Sequence, residues 1–278
     1  MRKFVRTQTR ARWKKLRAEL RRASGSPRDP EAIHDLRVAI RRFVQCLRHF
    51  QQFFDAPEVK RIRKPLRKLM KRCGEVRNRD IAMGLLCQAG LTEAPVMRAL
   101  ERQRMDAEKE LVRTLRAWRK RKNCARSLKV EQGGEGPWDA GSGPAENARR
   151  VLPQDARKLF EAGDAAAAPG AAHDAMHQFR LSAKRFRYTL EIFQPVYEAR
   201  KADMKRGLDG MRGLQDRLGA INDCVTACEL LKDDEAAVAA IDKIVPGREA
   251  EFRRFWKARF GLASRKRWIA RLSAAEKD

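Results

Sequence analysis

The 278-residue chain shows no convincing run of period-two alternation, so strands are not expected. No uninterrupted apolar stretch approaches the ~20 residues of a membrane span, which excludes a spanning helix. The opening MRKFVRTQTRARWKK lacks the apolar run of a secretory signal. There is no CxxC pair among the six cysteines (Cys46, Cys73, Cys87, Cys124, Cys224, Cys228), and the chain is too long to need stapling. Free thiols in a reducing cytosol are therefore expected. Cys224 and Cys228 would share a helix face, but no His ligand lies near them. Buried small side chains suit them better than a metal site. The chain also lacks a Walker motif, a G-x-S-x-G and an H-E-x-x-H. His34-Asp35 and His173-Asp174-x-x-His177 hint at ligation, but only one half of the chain has the second string. No metal, no cofactor and no catalytic group is expected.

Acid is scarce relative to base. Lys and Arg number 63 against 36 Asp and Glu, a net charge of +27. Such a surplus favours a polyanion, whether nucleic acid, anionic membrane or polyphosphate, and does not choose among them. Aromatics are only 7% of the chain, so stacking platforms for single-stranded bases are few. Hydrophobic residues still make up 43%, enough to build a core.

The apolar pattern is helical almost throughout. Expected helices run over about 6–23, 31–54, 58–88, 95–128, 146–162, 172–194, 198–231 and 247–272. Asp29-Pro30 is a helix start, with Asp as N-cap and Pro in the first turn. Asp55 followed by Glu58 resembles a capping box. Pro65 either opens the third helix or kinks it. Residues 131–144, with five Gly and two Pro, read as a linker, and 163–172 as a loop. The expected organisation is a first four-helix repeat over 1–130, a linker over 131–144 and a second repeat over 145–278.

The halves resemble each other. Residues 33–43 (IHDLRVAIRRF) align with 176–186 (MHQFRLSAKRF), and the match continues through Leu47/Leu190 and Phe50/Phe193. Leu69, Arg72 and Gly74 then match Leu214, Arg217 and Gly219. An all-α fold of two four-helix bundles related by a pseudo-twofold axis follows.

On a helical wheel, Leu36, Ile40, Phe43, Leu47, Phe50 and Phe54 form one core face. Phe179, Ala183, Phe186, Leu190, Phe193 and Tyr197 form its counterpart. A separate stripe carries His34, Arg37, Arg41, Gln45, Arg48 and Gln52; its counterpart carries His177, Arg180, Lys184, Tyr188, Glu191 and Gln194. An isolated basic helix face usually just meets water. This stripe differs because it recurs, and because the first copy has no acid, whereas solvated faces mix Glu with Lys. A ladder of donors matches a chain of phosphates, and Arg binds phosphate oxygens bidentately. The third helix adds Lys64, Arg67, Lys68 and Lys71. Arg42 and Arg185 lie off the stripe and either bind ligand or pair with acids such as Asp80 and Asp223.

Residues 34–42 (HDLRVAIRR), 69–80 (LMKRCGEVRNRD) and 177–191 (HQFRLSAKRFRYTLE) resemble the CHAD family, the conserved histidine α-helical domain. The resemblance covers most of the chain, with Arg77-Asn78-Arg79-Asp80 departing from the family's Arg-Asp-x-Asp. It implies two four-helix bundles about a basic, His-containing groove, inorganic polyphosphate as ligand, and association with polyphosphate granules in the cytoplasm. The residues it carries over are His34, Arg37, Arg41, Arg42, His177, Arg180, Lys184, Arg187 and Tyr188. Arg48, Arg67, Lys68 and Lys71 join them on the stripe argument. Some relatives fuse this domain to a triphosphate tunnel domain with E-x-E-x-K; Glu249-Ala-Glu251-Phe-Arg253 is the nearest string here, and it sits in a helical segment. The expectation is a non-enzymatic polyphosphate binder, with non-specific nucleic-acid binding as the alternative. Binding should strengthen below about pH 6.5 as His34 and His177 gain charge.

Overall fold

In the computed structural model, residues 1–119 and 128–274 are described. Among them there is no strand, and the fold is all-α. Among the described residues there are ten α-helices: α1 (Arg2–Gly25), α2 (Pro30–His49), α3 (Ala56–Gln88), α4 (Pro95–Arg119), α5 (Pro144–Ala167), α6 (His173–Phe193), α7 (Lys201–Leu230), α8 (Glu235–Asp242), α9 (Val245–Phe260) and α10 (Leu262–Leu272). Short 3-10 stretches, Gln51–Phe53 and Gln194–Arg200, follow α2 and α6. Residues 120–127 of the expected fourth helix, with Cys124, lie outside the described residues. No helix among the described residues is long and apolar enough to cross a membrane.

The start signals operate as the side chains dictate. Asp29 accepts from the Glu31 N–H, with Pro30 at the first helical position. Asp55 accepts from the Glu58 N–H at 3.0 Å, closing the first turn of α3. Helix α3 therefore begins well before Pro65, and the proline lies inside it.

The expected last helix is two helices. Gly261 leaves the helical region at ψ 176° and caps α10 through its carbonyl, which accepts from Ser264 and Arg265. The break lets two aromatic groups bury separately: Trp256 and Phe260 against Phe160, and Trp268 against Phe186. Helix α8 was not expected; Asp234 caps it by accepting from the Ala237 N–H. Helix α5 runs five residues past its expected end at 162. Gly163 is part of that helix because the Trp256 ring lies against its backbone: a Cβ there would fall 2.1 Å from the indole. The glycine serves close packing and not a loop.

Two compact units form. One comprises Arg2–Gly134 with Asp223–Lys243, the other Glu135–Asn222 with the chain from Ile244 onward. In the first, α1 packs on α2 and α3 on α4, with α8 against α3. In the second, α5 packs on α6, α9 and α10. Residues 223–243, the end of α7 plus α8, belong to the first unit. Both predicted core faces are buried, all twelve residues at 6% exposure or less. Tyr197 donates its hydroxyl to the Leu272 carbonyl at 2.9 Å, and Trp138 stacks on Phe193.

Candidate polyanion-binding surface

In the first unit, α2 and α3 run antiparallel, since Arg37 lies against Gly74 while Arg48 neighbours Arg63. Two cation clusters form along the pair. The first joins His34, Arg37 and Arg41 of α2 to Arg77 of α3. None of these four is ion-paired among the described residues. The Arg37 Nη1 and the Arg41 Nε are shut from solvent and meet no acceptor among the described residues. Burial lowers the Arg37 pKa, Arg41 and Arg77 lower it further, and Asp223 opposes them. Burial likewise pushes His34 below its ordinary value; Arg41, Arg77 and Arg37 act in the same direction, against Asp35. Asp35 is itself engaged by Arg22 at 2.6 Å. Gly74 makes room for this cluster, because a Cβ there would stand 3.3 Å from the Arg37 Nη1.

The second cluster lines a cleft of about 690 Å³ where α2 turns into α3. Arg48, Lys60, Arg63, Lys64 and Arg67 line it, with Gln51 and Gln52, over Leu47 and Val59. No acid lines it, and none of its five cations is ion-paired among the described residues. Burial lowers the Arg63 pKa, and Arg48 and Arg67 lower it further. Lys68 and Lys71 lie exposed farther along α3.

Elsewhere in the same unit several cations have acid partners. Arg22 reaches Asp29, Glu31 and Asp35. Arg72 bridges to Glu75, Arg28 to Glu108, and Arg104 to both Asp80 and Glu108. Asp80, one suggested partner for Arg42, is thus bound by Arg104 at 2.6 Å. Arg42 is half-buried.

In the second unit, α6 carries the counterpart stripe with more internal pairing. His177 is exposed, its Nδ1 3.2 Å from the Asn222 side-chain oxygen. Arg180 and Lys184 are half-buried. Arg187 donates to Glu191 at 2.7 Å and lies over the Tyr188 ring. Tyr188, the one aromatic expected on the stripe, is buried at 6% exposure. Arg185 is exposed, and its charge acts on the half-buried Asp155.

Sequence reasoning had not singled out Lys60 or Arg63, and had quoted Arg77 only within its motif. Their signal was available: Arg63, Arg67, Met70, Gly74 and Arg77 recur at helical spacing along one edge of α3. That edge flanks the apolar face and turns toward α2. Among the described residues no three His, Cys, Asp or Glu side chains gather. Cys46, Cys73, Cys87, Cys224 and Cys228 form no disulfide among the described residues, and Cys228 donates to Asp242.

These features define an all-helical, strongly basic domain with two clusters of unpaired cations along one helix pair. The chain belongs to the CHAD family: the CHAD domain profile matches residues 5–232, leaving α8 to α10 beyond the matched span. The fold is similar to the crystal structure of the CHAD domain from the plant Ricinus communis, with TM-score 0.56 and 21% identity over 99% of this chain and 92% of that one. It is also similar to PptA from Streptomyces chartreusis, with TM-score 0.56 and 16% identity over 96% of this chain and 99% of that one. Comparison with curated proteins finds no match.

Proposed function

We propose that this protein binds inorganic polyphosphate without turning it over, and that it does so in the cytoplasm at polyphosphate granules. The observation that carries the reading is the α2–α3 cation set, with buried guanidinium N–H groups that lack acceptors among the described residues. Buried donors are nearly always satisfied, so such groups favour an incoming acceptor. A phosphate chain offers acceptors at short, regular intervals, and each charge-assisted contact is worth roughly 1.5–3 kcal/mol. The ladder stands on helices, so little ordering is needed on binding.

Catalysis has little support. Glu249 and Glu251 lie on helix α9, and Arg253 and Arg217 respectively pair with them. That arrangement is unlike a strand-borne metal-binding pair. Nucleic acid is the second reading, because phosphate contacts supply most non-specific affinity. Against it stands the burial of Tyr188, which removes the one aromatic from the stripe. Competition binding at fixed salt tests the choice. Polyphosphate is expected to displace single-stranded DNA at well under one tenth of the DNA phosphate concentration, the factor of one charge-assisted contact or more. Displacement at equal phosphate concentration would leave only a generic cation.

A further inference from the structure

The two cation clusters on α2 and α3 differ in density and in setting. The His34–Arg37–Arg41–Arg77 group lies partway along both helices. The other group lies at their turn, where the track ends. Residues 50–54 close that end, with Phe50, Phe53 and Phe54 buried. Residues 131–134 strap it. The Glu131 N–H donates to the Phe53 carbonyl and the Gly134 N–H to the Gln52 carbonyl, both at 2.9 Å. The Gln52 amide donates back to the Gly134 carbonyl at 3.0 Å.

At this closed end Lys60, Arg63, Lys64 and Arg67 occupy successive turns of one face of α3, and Arg48 reaches them from the last turn of α2. Five cations around one cleft are more than an internal phosphate calls for, since it carries a single charge. A terminal phosphate has a second ionisation near pH 6, so it carries about 1.5 to 2 charges at pH 7 and an extra acceptor oxygen. The densest cation group therefore sits where a chain must stop.

Resting on the polyphosphate reading above, we infer that the cleft of Arg48, Lys60, Arg63, Lys64 and Arg67 recognises the terminal phosphate of the chain, while the His34–Arg37–Arg41–Arg77 group holds internal phosphates. The protein is then an end-reader, and a polyanion without a free terminal phosphate binds it less well.

The test uses the full chain with three probes at one phosphate concentration. They are a short linear polyphosphate, the same chain with both ends blocked as phosphoramidates of a neutral amine, and a cyclic metaphosphate. The unaltered protein is expected to prefer the free-ended chain by about tenfold, the factor that one charge-assisted contact carries. Lys60→Gln with Arg63→Gln should cost the free-ended chain about tenfold more affinity than the blocked chain, which erases the preference. Arg37→Gln with Arg41→Gln should weaken both linear probes alike and keep the preference. Lys60 is exposed and Arg63 partly so, and Arg48→Gln gives an independent route to the same cleft. If the unaltered protein binds free and blocked chains equally, end recognition is overturned while polyphosphate binding stands. If the preference survives both cleft variants, the end is read elsewhere and the assignment is overturned. If no polyphosphate probe binds better than DNA, the underlying reading fails, and this one with it.

Discussion

Helices α2 and α3 can be set against α6 and α7, their counterparts in the second half. The apolar frames agree almost residue for residue, and both are buried. The charges do not agree. Helix α3 carries ten Lys or Arg against three acids; α7 carries five against five. Where α3 has Lys64, Lys71 and Arg77, α7 has Asp209, Asp216 and Asn222. Where α2 has Arg48, α6 has Glu191, which is occupied by Arg187. A core face is held by burial, at roughly 25 cal/mol per Å², so both halves must keep it to fold. Surface charge faces no such demand, and there the two halves differ. On the polyphosphate reading proposed above, the comparison points to the first half as the stronger binder.

The strongest way to break that assignment is charge reversal. Arg37→Glu with Arg41→Glu is expected to lower polyphosphate affinity at least about a hundredfold, as two charge-assisted contacts are lost and repulsion is added. Arg180→Glu with Lys184→Glu makes the same change in net charge and should cost about tenfold. Lys266→Glu with Arg267→Glu, exposed on α10, should cost only a few-fold, as screened surface charges do. Titration at one salt concentration, with circular dichroism to check folding, measures all three. Equal losses in the first two would restore the symmetry of the halves.

A subtler pair separates stability from binding. Gly74→Ala and Gly219→Ala each replace a glycine within a helix, and Gly219→Ala, with open space around it, should gain about 0.5–1 kcal/mol of stability in denaturant melts. Only the first crowds a ligand-binding group, since Arg37 lies 3.3 Å from the added methyl while nothing lies within 4 Å of Gly219. Gly74→Ala should therefore weaken polyphosphate binding several-fold, about 1 kcal/mol in the range of one distorted hydrogen bond. Gly219→Ala should leave binding unchanged. Equal binding by the two variants would remove Arg37 from the site.

The smallest effect is that of pH. Burial and three guanidinium groups hold the His34 pKa below its usual value, so the free protein has it neutral at pH 7. Protonation adds a charge to the site, so affinity rises as pH falls, and the rise begins lower than the pH 6.5 of an unperturbed histidine. Binding measured from pH 7.5 to pH 5 should show it, with His34→Gln flattening the curve. An unchanged curve in that variant would exclude His34.

Much of this architecture was readable in the residues. The core faces followed from spacing, and the starts of α2 and α3 from Asp29-Pro30 and Asp55. What escaped has specific causes. A wheel at 100° per residue put Tyr188 on the stripe, but it cannot tell a flanking position from a buried one. The Arg187–Glu191 pair at i, i+4 was itself legible and foretold the neutralised ladder. The break at Gly261 was hidden because apolar residues continue at helical spacing on both sides of it. The cleft depends on Arg48 and Arg63 meeting across a turn, a pairing that a single-helix projection cannot contain.

The glycine-rich segment 131–144 looked like a fourteen-residue tether. Its first part is bonded to residues 52 and 53, as described above. Its latter part is held as firmly: Arg150 donates to the Pro137 carbonyl, Trp138 is 1% exposed, and Asn147 donates to the carbonyls of Asp139, Ser142 and Gly143. Only Glu135 and Gly136 lie between the two anchored stretches. A protease therefore meets one unanchored pair of residues where composition promised a fourteen-residue tether. Cleavage of the native chain should be confined to the Glu135–Gly136 step, and cuts elsewhere in the segment should wait for local unfolding.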